Sequence, residues 1–315
     1  MGIREPLPPP RELLALCNNV RKFAVKLMDE LRDPCPAFNV TVHCIAHFTL
    51  RWAGRKVEGI LSPALTETHG GSNIADVRTR AEVTGDGRAI ITGEKVFSTN
   101  ALYADYFLVL ASTDAGPVLV LVPRSSAGVK VDELELEAYK CAGVGRVTFS
   151  GAEGEVVAGP GKDAYKLVLN ALAVARLLVA AHALGMASKV LEHAVSVSLQ
   201  RGSWAHQVVR HRLARAYALC AAARSYIEKA AEDVEKGSFD WALTSTAKYV
   251  AVEAALETLE AAARSLGGYA VHASSPIPET SKHLYALLAA EGTQDIQLEI
   301  ISRSLERTFQ KKASG

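Results

Sequence analysis

Hydrophobic and polar positions divide the chain into three zones that differ in period. Over residues 11–52, apolar side chains recur at spacings of three and four, as in an amphipathic helix. A break at Pro34 and Pro36 precedes a second apolar run, Val40 to Trp52. Before residue 11, we expect the PLPPP segment (residues 6–10) to form a stiff, exposed arm.

Residues 57–158 have the period of β-strands. Thr79, Ala81 and Val83 alternate with polar neighbours, and a Gly-Asp-Gly turn follows them. Further short runs of β-forming residues are separated by glycine and aspartate turn signals. This pattern predicts a small antiparallel barrel or sandwich.

From Asp163 onward the helical period returns. One apolar stripe runs through residues 208–235, and similar stripes run through 165–199, 242–266 and 281–307. Four such stripes predict a four-helix bundle. We therefore predict an α+β multidomain chain with a helical domain over 1–55, a middle β domain over 56–160 and a bundle over 161–315.

The composition restricts the class of partner. A formal net charge of +1 favours neither nucleic acid nor an anionic membrane surface. The apolar run Leu167–Ala187 is interrupted by Asn170, Arg176 and His182, so we interpret it as a buried helix and not as a membrane span. The few Asn and Gln residues lean towards a thermophilic source.

The cysteines and the N-terminus indicate a compartment. The five cysteines are an odd number and contain no CxxC, which argues against a disulfide framework or a zinc ribbon. The first residues lack the apolar core of a signal peptide. We expect a cytoplasmic protein.

Short motifs exclude several chemistries. No GxxxxGK[ST], GxSxG or HExxH is present. His43 and His47 could share a helical face, but no acidic or cysteine partner lies nearby, so packing is the favoured interpretation and we expect no metal site.

Three segments carry candidate chemistry. Ala64–Asn73 ends a strand with hydroxyl residues and a small-residue turn whose N–H groups suit a phosphate or a flavin edge, although it could be an ordinary loop. Gly93–Asn100 is a turn followed by an aromatic residue beside two hydroxyls at a strand's end. Glu291 follows an apolar run, which would raise its pKa and make it a plausible general base. The alternative is a helix-end glutamate pointing to water.

In their order, these segments resemble the signatures of the acyl-CoA dehydrogenase family. The resemblance rests on Thr66–Asn73, Gly93–Asn100, Arg176, Arg264–Tyr269 and Glu291-Gly292-Thr293. It implies a helical N-terminal domain, here shortened, a middle β domain and a C-terminal four-helix bundle. It also implies FAD between the β domain and the bundle, and Glu291 as the base that removes the α-proton of an acyl-CoA.

The resemblance assigns further residues to ligands. Those implied to contact FAD are Leu65, Thr66, Ser72, Phe97, Ser98, Thr99, Arg201, Gln207, Arg264, Gly267, Gly268 and Thr293. Those implied to contact acyl-CoA are Ser72, Tyr165 and Arg176, although Arg176 could equally belong to a buried ion pair.

The implied partners are an electron-transferring flavoprotein and further copies of the chain in a homodimer or homotetramer. A hetero-oligomer whose other chain supplies the missing helices is also compatible. The sequence departs from the family pattern at Asn73 and Arg264, and in a shortened Arg201–Gln207 segment. These departures leave open a non-catalytic paralogue and, more remotely, a flavin-dependent oxidase or monooxygenase.

Overall fold

A computed structural model describes Pro9, residues 11–74 and residues 76–313. Apart from Pro9, which is buried, the PLPPP arm lies outside the described residues. The chain forms two compact units: the described residues up to Asn18 with Phe38–Ala175, and Asn19–Ala37 with the residues from Arg176 onward. The elements run helices, strands, helices, which confirms the predicted α+β architecture.

In the part of the chain that the structure describes, three helices precede the strands: α1 (Arg11–Leu14), α2 (Val20–Asp29) and α3 (Pro34–Trp52). The Asn19 side chain caps α2 by accepting a hydrogen bond from Lys22 N at 2.7 Å. Pro34 and Pro36 lie in the first turn of α3, so the predicted break falls before them. A helix tolerates proline there because the first N–H groups have no partner within the helix.

A disulfide joins Cys17 to Cys44, which are 27 residues apart in sequence. The prediction that the chain lacks disulfides is therefore wrong. The pattern gave no signal because the partners come from different segments, the stretch after α1 and the middle of α3. Folding brings their Cα atoms to 4.8 Å, within bonding range. Cys220 is a free thiol.

Seven strands form the β part of the first unit. They are β1 (Leu61–Ala64), β2 (Arg80–Val83), β3 (Arg88–Ser98), β4 (Tyr106–Thr113), β5 (Gly116–Pro123), β6 (Val129–Glu133) and β7 (Gly145–Ala158). The pairing β4-β2-β3-β7-β5 returns to β4, which closes a barrel, while β1 pairs with β4 and β6 with β7. Two pairs, β1 with β4 and β2 with β4, are parallel and the others are antiparallel.

Alternate side chains of these strands fill the barrel. Phe107 and Phe149 meet edge to face at its centre, with ring centroids 6.1 Å apart. The opposite face of β4 and β5 packs against the helices, with Leu108 and Leu121 contacting Ala46 of α3 in one cluster. Period-two patterning therefore decided which side chains face inward.

Five helices follow the barrel: α4 (Lys162–Gln200), α5 (Gln207–Glu235), α6 (Trp241–Leu266), α7 (Ile277–Leu287) and α8 (Gln294–Ala313). The stripe predicted on α5 is buried at Val209, Leu213, Ala216, Ala223, Ile227, Ala230 and Val234. The stripe predicted over 281–307 is interrupted, because α7 ends and α8 begins within it. Among the described residues, α4 is the one helix long and apolar enough to cross a membrane, and most of its apolar stretch is buried.

Candidate active site

The break between α7 and α8 carries the predicted base. Glu291 has a φ of 56° and the following Gly292 a φ of 90°. Two successive residues with positive φ stop the helix and turn the chain, since a helix requires negative φ. Thr293 then precedes α8 and caps it, its Oγ1 accepting a hydrogen bond from Ile296 N at 3.3 Å. We name residues 288–293 the Glu291 turn.

The Glu291 carboxylate is partly buried and lies near two cations. Burial raises the pKa of Glu291, whereas the charges of Arg176 and Lys248 lower it. Within the described part of the chain, neither cation forms an ion pair or a hydrogen bond with the carboxylate, and Lys248 donates to a backbone carbonyl instead. The carboxylate is thus free to take up a proton while two cations act on it through space.

Arg176 is 5% exposed, and its Nε has no hydrogen-bond partner among the described residues. Burial lowers the pKa of this guanidinium and the charge of Glu291 raises it. A buried cation with an open donor suits an anionic or carbonyl ligand better than a closed ion pair.

Lys248 is a site residue that the sequence analysis missed. Its side chain is fully buried on α6, and its Nζ donates to Gly292 O at 2.6 Å and to Leu288 O at 3.4 Å. Burial lowers the pKa of Lys248 to about 8. The sequence did contain a signal for Lys248, because this lysine lies within the apolar stripe of residues 242–266. A lysine is rarely fully buried unless it is paired.

A second group of predicted residues meets at the end of α6. Arg201 donates from Nη1 to Leu266 O at 3.3 Å, and its guanidinium lies 3.9 Å from the centroid of the Tyr269 ring. Gly267 and Gly268, which lie between these two contacts, are both exposed. Folding therefore places Arg201 against the two residues that flank the predicted glycines, Leu266 and Tyr269.

The first unit brings two motif segments together at the ends of β1 and β3. Val96 N donates to Thr66 O at 2.9 Å, and Lys95 Nζ donates to Leu65 O at 3.0 Å. Lys95 also bonds Glu67, with Nζ 2.7 Å from Oε1. The segment around Leu65 and Thr66 is thus attached to the strand that leads into Phe97.

The end of β3 presents groups that fit a flavin. Phe97 has a φ of 55° and is 60% exposed, an unusual placement for a large aromatic side chain. Next to it, the buried Ser98 Oγ has no hydrogen-bond partner among the described residues. An exposed ring for stacking beside an unused hydroxyl matches the apolar face and polar edge of an isoalloxazine.

The remaining predicted residues are separately placed. Ser72 is exposed in the turn after Glu67, and Tyr165 is partly exposed in the first turn of α4. Gln207 begins α5, and Arg264 is exposed and paired with Glu260 at 2.5 Å. Among the described residues, no contact brings these four side chains together.

The histidine pair of α3 has a structural explanation. His43 Nδ1 accepts a hydrogen bond from Leu61 N at 3.1 Å, which ties α3 to the start of β1. Burial, with a contribution from His47, lowers the pKa of His43 to about 4. A neutral imidazole used as a backbone acceptor agrees with the packing interpretation.

Comparison with known proteins identifies the family. Residues 62–152 match the middle domain of acyl-CoA dehydrogenases, and residues 165–306 match their C-terminal domain. An acyl-CoA dehydrogenase of Bacillus subtilis is 31% identical over 256 residues, covering 77% of this chain and 67% of that protein. The chain belongs to the acyl-CoA dehydrogenase family.

Solved structures share the acyl-CoA dehydrogenase fold. Butyryl-CoA dehydrogenase from Megasphaera elsdenii gives a TM-score of 0.85 at 21% identity, covering 95% of this chain and 90% of that one. A glutaryl-CoA dehydrogenase from Mycobacterium smegmatis, in complex with FADH2, gives 0.83 at 22% identity, covering 91% and 80%. The chain spans about two thirds of the length of the curated relatives it matches.

Family membership confirms the predicted enzyme class. Acyl-CoA dehydrogenases are flavin oxidoreductases that act on CH–CH donors, with FAD as cofactor. The exposed ring of Phe97 and the unused hydroxyl of Ser98 are chemically suited to this cofactor.

Proposed function

We propose that this chain catalyses α,β-dehydrogenation of an acyl-CoA thioester, with Glu291 as the base that removes the α-proton. The observation that carries the proposal is the state of Glu291: a partly buried carboxylate without a hydrogen-bonded partner among the described residues, held in a left-handed turn near Arg176 and Lys248. A base needs a free oxygen and a pKa raised above that of an exposed glutamate.

The surrounding groups favour the proton transfer. When the α-proton moves to a carboxylate oxygen of Glu291, negative charge develops on the thioester. The positive charges of Arg176 and Lys248 stabilise that charge in a low-dielectric interior. In addition, the backbone N–H of Glu291 has no acceptor among the described residues and is available to the thioester oxygen. FAD, when bound, supplies the acceptor for the β-hydrogen.

The residues proposed to hold FAD fall into two sets. In the first unit they are Leu65, Thr66, Ser72, Phe97, Ser98 and Thr99, and in the second Arg201, Gln207, Arg264, Gly267, Gly268 and Thr293. The bonds of Thr66 to β3 and of Arg201 to the end of α6 support this division. Arg264 is the weakest member because Glu260 already pairs with it.

For the substrate, we assign the open Nε of Arg176 to a polar group of acyl-CoA, with Tyr165 and Ser72 as further contacts. An electron-transferring flavoprotein is the proposed acceptor of the electrons. We propose a homodimer or homotetramer as the working assembly.

Anaerobic titration with acyl-CoA thioesters tests the proposal. The purified protein should be yellow, and the flavin absorbance should bleach on addition of substrate. Glu291→Gln should retain FAD and lose the bleaching, because an amide cannot take up the α-proton. Full reduction of the flavin in Glu291→Gln, or a colourless protein that cannot be reconstituted with FAD, would refute the assignment.

A further inference from the structure

The Glu291 turn is held by two buried side chains that approach it from different helices. From α6, Lys248 places its ammonium on the carbonyl oxygens of Leu288 and Gly292, at 3.4 and 2.6 Å. The first carbonyl belongs to the end of α7 and the second directly follows the base. One ammonium therefore binds the turn before and after Glu291.

From α8, the fully buried Gln297 binds the same turn. Its Nε2 lies 3.3 Å from Glu291 O, 3.0 Å from Gly292 O and 3.3 Å from Thr293 O. A primary amide has two N–H bonds to share among these three acceptors. A Cβ at Gly292 would lie 3.0 Å from this nitrogen, so the amide and the turn are closely packed.

This turn requires such support. A non-glycine residue in the left-handed region is strained and persists only where its surroundings impose it. The carbonyls that are left without a helical partner after α7 ends are also partly buried, and each would be costly to leave without a donor. Lys248 and Gln297 supply those donors, so they counter both costs at once.

The way in which Lys248 binds matters for the base. An ammonium bonded directly to the Glu291 carboxylate would hold the oxygens and weaken the base. Bonded to backbone carbonyls instead, it fixes the backbone of Glu291 and leaves the carboxylate free, while its charge still acts on the site. Gln297 makes the same kind of contact without a charge.

We propose that Lys248 and Gln297 are positioning residues that hold Glu291 in its left-handed conformation by binding the carbonyl groups of residues 288 and 291–293. The inference rests on the proposed function of Glu291. Neither side chain touches the carboxylate, so each positions it through the turn, and Lys248 alone adds a charge that acts on the site.

The pair permits a matched experiment. Lys248→Met and Gln297→Met remove the donors while keeping an unbranched, buried side chain, and Lys229→Met on the exposed side of α5 is the control. In the FAD-free protein, amide hydrogen exchange of residues 288–297 should rise in both variants and stay unchanged in the control. This measurement does not depend on activity.

Flavin reduction at saturating acyl-CoA gives the second measurement. Both variants should reduce flavin on the order of 100-fold more slowly, because a displaced base loses its alignment with the α-carbon, while FAD content and acyl-CoA affinity stay within about twofold. Only Lys248→Met should move the acid limb of the rate to higher pH, since it alone removes a cation. Gln297→Met should slow the reaction without that shift.

The outcomes separate the two proposals. Wild-type exchange and wild-type reduction rates in both variants would overturn the positioning role and leave Glu291 as the base. Failure of acyl-CoA to bleach the wild-type protein would instead refute the proposed function. If Lys248→Met does not fold, Lys248→Arg and Gln297→Asn, which retain polar groups but displace them, carry the same test: wild-type exchange in both would overturn the inference.

Discussion

Lys95 and Glu67 form an ion pair in the interior of the β unit, with Nζ 2.7 Å from Oε1 and side-chain exposures of 0% and 6%. Glu67 also accepts backbone hydrogen bonds from Arg78 and Thr79, at 2.8 and 2.9 Å. Burial alone would raise the pKa of Glu67, but these donors outweigh burial and lower the pKa to about 2. The pair thus joins the segment after β1 to β3, directly beside the proposed flavin contacts.

Removing one partner of this pair should destabilise the protein strongly. Lys95→Met leaves a buried carboxylate without its cation, and we expect a loss of about 3–5 kcal/mol in the free energy of unfolding. The double variant Glu67→Gln/Lys95→Met should lose less than the two single losses combined, as urea unfolding can measure. Strict additivity would show that the two side chains are not coupled.

The same pair predicts an acid-dependent stability. Because the folded state lowers the pKa of Glu67 from 4.5 to about 2, its stabilising contribution is complete above pH 4.5 and is lost as the pH falls towards 2. Thermal unfolding of Glu67→Gln between these values should show a weaker pH dependence than the wild type. Parallel curves would contradict the assignment.

Arg176 should set the pH dependence of flavin reduction. As the proposed base, Glu291 must be ionised to take up the α-proton, and the charge of Arg176 lowers the pKa of that carboxylate. Arg176→Met should therefore shift the acid limb of the reduction rate at saturating substrate to higher pH, whereas Arg176→Lys, which keeps the charge, should shift it less. An unchanged limb in Arg176→Met would show that Arg176 serves substrate binding alone.

Gly185 is required for the close approach of α2 to α4. A Cβ at this position would lie 2.2 Å from Leu27 O, although Gly185 lies within a helix where alanine is otherwise favoured. We expect Gly185→Ala to lower stability by about 1–3 kcal/mol, since backbone must move. Gly85→Ala, with nothing within 4 Å of the added carbon, is the control and should be nearly neutral in the same melting experiment.

The Cys17–Cys44 disulfide should contribute to stability by restricting the unfolded chain. Closing a loop between residues 27 apart corresponds to about 3.5 kcal/mol in the chain-entropy description. Cys17→Ser/Cys44→Ser should lose stability of that order, and Cys220→Ser, at a free thiol, should lose much less. Non-reducing peptide mass spectrometry should recover residues 17 and 44 in one cross-linked species; their recovery as separate thiols would refute the bond.

Much of the fold followed from local patterns. The change from helical to strand period and back located the helices and the barrel, since burial of one face imposes that period on each element. The apolar run before Glu291 marked it as a candidate base, and the family motif Glu291-Gly292-Thr293 led to its choice as the proposed base. The predicted break at Pro34 and Pro36 was off by a few residues, because α3 begins at Pro34. Proline can break a helix, but it can also occupy the first turn of one.

The amino-acid sequence alone determined the order of the elements, the family motifs and the choice of Glu291, because each depends on residues that are near neighbours in the chain. Only the tertiary structure decided the partners. Cys17 with Cys44, Glu67 with Lys95, and Lys248 with the Glu291 turn are each separated by 27 residues or more. Such pairs depend on how helices and strands pack. Burial increases the contribution of each contact to stability, because an unpaired charge or carbonyl is costly only away from water.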